Sequence, residues 1–169
     1  MTDLVLTLIG PDRPGLVESV AARVAAHGGN WLESRMAHLA GQFAGILRVE
    51  LPAEHMAELR AALLELEAEG LRIVAQGGAP PAAAGLRAME LQVVGQDHPG
   101  IVRDISRVLS RHAVNIEELA TDRVSAPMAG GQLFRAQARL HVPASLEAES
   151  LRRDLETIAN DLMVELTLE

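Results

Sequence analysis

Gly10-Pro11-Asp12-Arg13-Pro14-Gly15 decides the reading of this chain, together with its second copy, Gly95-Gln96-Asp97-His98-Pro99-Gly100. Each copy follows an alternating apolar run, Leu4 to Ile9 or Met89 to Val94, and opens an amphipathic segment. The order is strand, tight turn, helix. Pro14 and Pro99 suit the first turn of a helix, where φ is already helical and the missing N–H would have had no partner. Asp12 and Asp97 can accept from the free N–H groups of that turn and carry the charge that the helix dipole favours there. Gly15 and Gly100 remove a side chain where those N–H groups emerge, leaving room for a backbone or a small ligand.

An offset of 85 residues superimposes far more than the turn. It aligns Gly10/Gly95, Asp12/Asp97, Pro14/Pro99, Gly15/Gly100, Val17/Val102, His27/His112, Asn30/Asn115 and Glu33/Glu118, with Leu16/Ile101 among the apolar exchanges. The sequence is an internal repeat. Residues 1–76 form one expected domain and 87–169 the other. Residues 77–86, which run from Gly77 through Pro80-Pro81 to Leu86, read as a linker with nothing to bury.

Within the first copy, Asn30–Leu39 and Phe43–Leu51 read as strands joined at Ala40-Gly41. Residues 53–69 read as a helix with Met56, Leu59, Leu63 and Leu66 on one stripe, and Leu71–Gln76 as the last strand. The second copy repeats the order. Its last helix is expected over 145–160, and Leu162, Val164, Leu166 and Leu168 alternate as its last strand. Each half is therefore β-α-β-β-α-β, an α+β ferredoxin-like fold with a four-stranded antiparallel sheet and two helices on one face. The first-half strands are apolar on both sides, so a second surface is expected against the sheet, most simply a homodimer.

The 169 residues carry a net charge of −8 and no cysteine. Thiol catalysis, disulfides and thiolate metal sites are excluded. An acidic chain without a Lys/Arg cluster is poorly suited to bind nucleic acid itself. There is no apolar run of membrane-spanning length and no signal-peptide pattern, so the expectation is a cytoplasmic protein away from membranes. The six histidines show no HExxH-like spacing, and neither GxSxG nor Walker A occurs. No metal, no cofactor and no enzyme activity are expected. His27 and His112 read as helix-end cations. The 126–132 loop, with Pro127, Met128 and Gly130-Gly131, reads as a hairpin connection; its alternative is a lid or a docking loop.

Asp12-Arg13-Pro14-Gly15-Leu16-Val17 with Asn30-Trp31-Leu32-Glu33-Ser34-Arg35-Met36, and Asp97-His98-Pro99-Gly100-Ile101-Val102 with Asn115-Ile116-Glu117-Glu118-Leu119, resemble paired ACT domains. The pair covers nearly the whole chain. The Glu33-Ser34-Arg35-Met36 run and the Ser125-Ala126-Pro127-Met128 loop resemble the glycine cleavage system transcriptional repressor family in particular. The resemblance implies allosteric binding of a small amino acid, glycine first, at domain or subunit junctions. It also implies a regulator that acts through a DNA-binding activator protein rather than on DNA.

The expected ligand contacts are Gly10, Asp12, Arg13, Pro14, Gly15, Leu16 and Asn30, and in the second copy Gly95, Asp97, His98, Pro99, Gly100, Ile101 and Asn115. Backbone N–H groups would hold the carboxylate. The Asp carboxylates and Asn amides would take the ammonium. Trp31 against Ile116, and Arg13 against His98, imply two unequal sites. Two other readings stand beside this one: turns that are purely structural, and a constitutive scaffold whose paired domains only dimerise and dock a partner.

Overall fold

Strand β1 (Thr2–Pro11) carries Leu4, Leu6 and Leu8 inward and lies in the middle of its sheet, between β3 (Gln42–Leu51) and β4 (Arg72–Gly77). The edge beyond β3 is β2 (Asn30–Leu39), so the order is β2-β3-β1-β4 with every neighbour antiparallel. The computed structural model describes residues 1–79, 85–128 and 130–169. The chain divides into two units, Met1–Pro81 and Ala82–Glu169.

Helix α1 (Leu16–Ala26) buries Leu16, Val20 and Val24, and α2 (Met56–Leu64) with the 3₁₀ turn that follows buries Leu59, Leu63 and Leu66. Both stripes close on one face of the sheet, against Leu4, Leu6, Leu8, Leu47, Val49 and Leu51. Gly28 after α1 (φ 70°) and Gly70 before β4 (φ 90°) are left-handed where the chain reverses.

The second unit repeats this order with β5 (Leu86–Gln96), α3 (Ile101–Arg111), β6 (Asn115–Ser125), β7 (Gln132–Pro143), α4 (Ala148–Leu162) and β8 (Val164–Leu168). Its sheet order is β6-β7-β5-β8. Leu91, Val93, Leu140 and Val142 meet Ile105, Leu109, Leu151 and Leu155 in its core. Here Ala113 (φ 55°) stands 85 residues after Gly28, and Met163 (φ 55°) makes the turn from the last helix into the last strand.

Three local expectations are corrected. Pro14 and Pro99 lie in the turn before the helix, because Gly15 (φ 90°) and Gly100 (φ 99°) form the left-handed residue at which each helix starts. Leu162 belongs to the end of α4, whose buried stripe runs Leu151, Leu155, Ala159 and Leu162; the strand begins at Val164. Of the expected linker, Gly77 ends β4 and Leu86 opens β5, while residues 80–84 lie outside the described residues. Ala129 of the 126–132 loop lies outside them too. No helix among the described residues is long and apolar enough to cross a membrane.

The outer sheet faces differ. In the first unit Ile9, Ile46 and Val74 are about half exposed at 46, 52 and 50 %. Both faces carry an arginine network, Arg48 with Asp3 and Glu33 in the first and Arg139 with Glu90 and Glu118 in the second; the second adds Arg135 with Asp122, beside Gln92 and Gln137.

Candidate functional site

Both turns are pinned the same way. The Asp12 N–H donates to the Gly41 carbonyl and the Asp97 N–H to the Gln132 carbonyl, each at 2.9 Å, tying the end of the central strand to the neighbouring hairpin. Gly10 must be glycine because a Cβ there would lie 2.6 Å from the Gly70 carbonyl oxygen; at Gly95 it would lie 2.5 Å from Val164. These two glycines serve packing.

The carboxylates point away from the role expected of them. Neither α1 nor α3 has a side-chain cap. Asp12 instead faces His38 at 3.7 Å, and Asp97 holds Arg123 at 2.7 Å. His38 and Arg123 are themselves 85 residues apart, so the pairing is a property of the repeat. The physical reason lies in the glycine. A left-handed residue at the helix start turns the preceding chain aside, toward the end of β2 or β6, and the Asp finds a basic side chain there. These two basic residues are not marked by the turn motif, although the offset that aligns the turns also pairs them.

Among the described residues, neither helix start therefore has a side-chain cap. At Gly15 nothing among the described residues stands within 4 Å of the position a Cβ would occupy. At Gly100 the Arg103 guanidinium stands 3.2 Å from that position, fixed by Asp104 at 2.8 Å. This pair holds the Asp104 carboxyl below its ordinary value near 3.8. Glu18 and Ser19 occupy the corresponding places in the first unit, so the two openings differ in charge.

Arg13 and His98 face the second helix of their own units. Arg13 donates to the Glu69 carbonyl at 3.3 Å and its carboxylate at 3.2 Å. His98 Nε2 lies 2.9 Å from the Leu162 carbonyl, and Nδ1 lies 3.1 Å from that of Pro99.

Within one unit the asparagines are separate from this cluster. Gly10 pairs with Phe43 but Asn30 with Glu50, seven residues farther along β3 (50 − 43), which is about 23 Å of strand. Gly95 pairs with Phe134 and Asn115 with His141, again seven (141 − 134). The crossover helix returns the chain along the sheet before the next strand begins. Gly10, Asp12, Arg13, Pro14, Gly15 and Leu16 come together, as do Gly95, Asp97, His98, Pro99, Gly100 and Ile101. Asn30 and Asn115 sit at the opposite end of their sheets.

Two hollows lie elsewhere in the second unit. One of about 300 Å³ occupies the outer sheet face between Gln92, Asp122, Arg135 and Gln137. A crevice of about 30 Å³ opens between α3 and the inner sheet face, over Phe134, Ala136 and Ala138, with Ser106 on its rim. In the first unit Trp31 stands in place of Ile116 and Leu47 in place of Ala138, and Trp31 and Met36 pack against the core. Trp31 is thus half-buried beside the core, its indole N–H 3.3 Å from the Ser34 hydroxyl.

The sequence model of the ACT domain family matches residues 2–76, which span the first repeat from β1 to β4. The second repeat has the same strand order, the same pinned turn and the same left-handed glycine. The first repeat is an ACT domain, and the second shares its fold. It is similar to the glycine cleavage system transcriptional repressor of Escherichia coli K12, 26 % identical over 161 residues, which are 94 % of this chain and 85 % of that one. The crystal structure of an unknown protein from Galdieria sulphuraria superimposes with a TM-score of 0.86 at 32 % identity, covering 99 % of this chain and 97 % of its own. A candidate glycine cleavage system transcriptional repressor superimposes at 0.71 and 19 % identity, covering 99 and 96 %, and shows that the fold is shared over the whole length.

Proposed function

We propose that this tandem ACT protein is a non-enzymatic regulator that senses a small amino acid at its helix openings. Glycine is the first ligand to test, because the similar Escherichia coli protein is named for the glycine cleavage system. The observation that carries the reading is the uncapped, unobstructed start of α1 at Gly15. Free N–H groups at the positive end of a helix are a place for a carboxylate. Arg13 adds positive charge nearby, and Asp12 gives the ammonium an acceptor.

The 23 Å between turn and asparagine has a consequence for the site. A ligand gripped by both cannot be held within one domain. The second half of its grip would have to come from outside that domain. Sensing then follows from assembly, since only a ligand that prefers one arrangement can shift the balance between arrangements. The half-exposed Ile9, Ile46 and Val74 favour a homodimer. With a net charge of −8, the signal passes to a DNA-binding activator protein rather than to DNA, and the site of action is the cytoplasm.

Titration calorimetry with glycine, serine and leucine tests the sensor. Saturable heat that Asp12→Asn or Asp97→Asn weakens supports it. No heat with any of the three leaves the constitutive scaffold, in which the same substitutions change stability alone. Affinity capture with the full chain, followed by identification of a transcriptional activator, tests the partner.

A further inference from the structure

The two units fasten their strand-to-helix turn to the end of their second helix with different chemistry at one repeat position. Arg13 does so in the first, donating to the Glu69 carbonyl. His98, 85 residues on, does so in the second, with both ring nitrogens on carbonyl oxygens, Leu162 at 2.9 Å and Pro99 at 3.1 Å. A carbonyl oxygen only accepts, and a neutral imidazole carries one N–H. Both bonds therefore exist together only in the imidazolium.

We propose that His98 is a proton-operated clasp between the β5–α3 turn and the end of α4, the titratable counterpart of the permanently charged Arg13. The surroundings favour the cation. The turn contributes Asp97, which is shared with Arg123 of β6, and the first turn of α3 contributes Asp104, which is shared with Arg103. From α4 and β8 the ring meets the Leu162 carbonyl, and the carboxylates nearest in sequence to that carbonyl, Asp161 and Glu165, oppose nothing. The bond to Leu162 and then that to Pro99 hold the ring pKa above its ordinary 6.5 against partial desolvation.

The sign follows from the direction of that shift. A base whose pKa is raised by folding contributes its stability fully below the unfolded value and loses it as pH rises through the folded value. The clasp is closed on the acid side of 6.5 and opens on the alkaline side of the raised value. Arg13 keeps its charge throughout. One chain thus holds one turn constantly and the other according to pH, whether or not a ligand binds there.

The test is an NMR titration of the histidine ring protons in the full chain, with His98 identified by the signal missing from His98→Gln. The expected result is a His98 midpoint above 6.5. In addition, His98→Gln should lower the thermal midpoint, followed on second-unit signals, by a few degrees at pH 6 and far less at pH 8.5. His98→Arg should keep the midpoint equal to wild type at pH 6 and remove the pH dependence. A His98 midpoint at or below 6.5 overturns the clasp, as does a wild-type-to-Gln difference equal at both pH values. If His98→Gln does not fold, triple-resonance assignment of wild type still gives the midpoint. Calorimetric silence toward amino acids would remove the sensor reading and leave this result untouched.

Discussion

Gly10 and Gly15 stand five residues apart in one motif and are glycine for unrelated reasons, which substitution separates. At Gly10 a methyl group would enter the Gly70 carbonyl at 2.6 Å. Gly10→Ala should cost about 1–3 kcal/mol, the usual range for an overpacked site, and a larger residue should cost more. At Gly15 the space is empty and only φ of 90° objects. Gly15→Ala should cost about 1–2 kcal/mol, and Gly15→Asn less, since asparagine tolerates positive φ. Urea unfolding of the variants reads the difference; equal costs for Ala and Asn at Gly15 would contradict the backbone explanation. The motif was legible as a turn, yet letters alone cannot distinguish a glycine required by a neighbour's carbonyl from one required by its own φ. The charges titrate in a known direction as well. Arg135 holds the Asp122 carboxyl below 3.8, so its stabilisation is present above that value and lost as pH falls through the lower folded one. Asp122→Asn should lower the thermal midpoint at pH 7 and flatten the acid limb of the stability profile.

Elements were readable where a periodic stripe met a stop signal. Asn30–Leu39 and Asn115–Ser125 are strands at the bounds their flanking turns imply. The reading slipped at the end of α4, where no glycine marks the stop. Leu162 continues the alternation of the last strand but also falls one turn beyond Ile158 and Ala159 on the helix, and the buried helical position wins. Met163 then takes the left-handed turn that Gly70 takes in the first unit, at φ 55° and 76 % exposed. Met163→Gly should therefore stabilise the second unit by about 0.5–1 kcal/mol, as strain of about 1–2 kcal/mol is exchanged for backbone entropy. Leu155→Ala, fully buried on the α4 stripe, should cost about 2–5 kcal/mol. Both are measurable by chemical denaturation. The asparagines mark the other limit of sequence. Element order says that β2 follows α1, but only the ladder register reveals that Asn30 lies at the far end of the sheet from Asp12.

The duplication predicts how the molecule divides and which part associates. Each unit closes a core of its own, the first on Leu4, Leu6, Leu8 and Leu59, the second on Leu91, Leu140, Leu151 and Leu155. Fragments 1–79 and 85–169 should each unfold cooperatively, at a size where single domains commonly fold alone. Their outer sheet faces then decide the rest. The first unit presents Ile9, Ile46 and Val74, β-branched side chains with their apolar area in water. The second presents Gln137 and Thr167 at the register positions of Ile46 and Val74, and adds the Arg135–Asp122 pair to an arginine network that both faces carry, Arg139 with Glu90 and Glu118 here and Arg48 with Asp3 and Glu33 in the first. Burying the first face covers more apolar surface, whereas burying the second would also strip water from its amides and from the Arg135–Asp122 pair. Sedimentation velocity should show 1–79 shifting from monomer to dimer with concentration while 85–169 stays monomeric. Ile46→Lys should abolish the dimer in the fragment and weaken it in the full chain without unfolding either. Should 85–169 associate and 1–79 not, the dimer would have to be built on a strand edge or a helix face, and the apolar sheet face would need another cover.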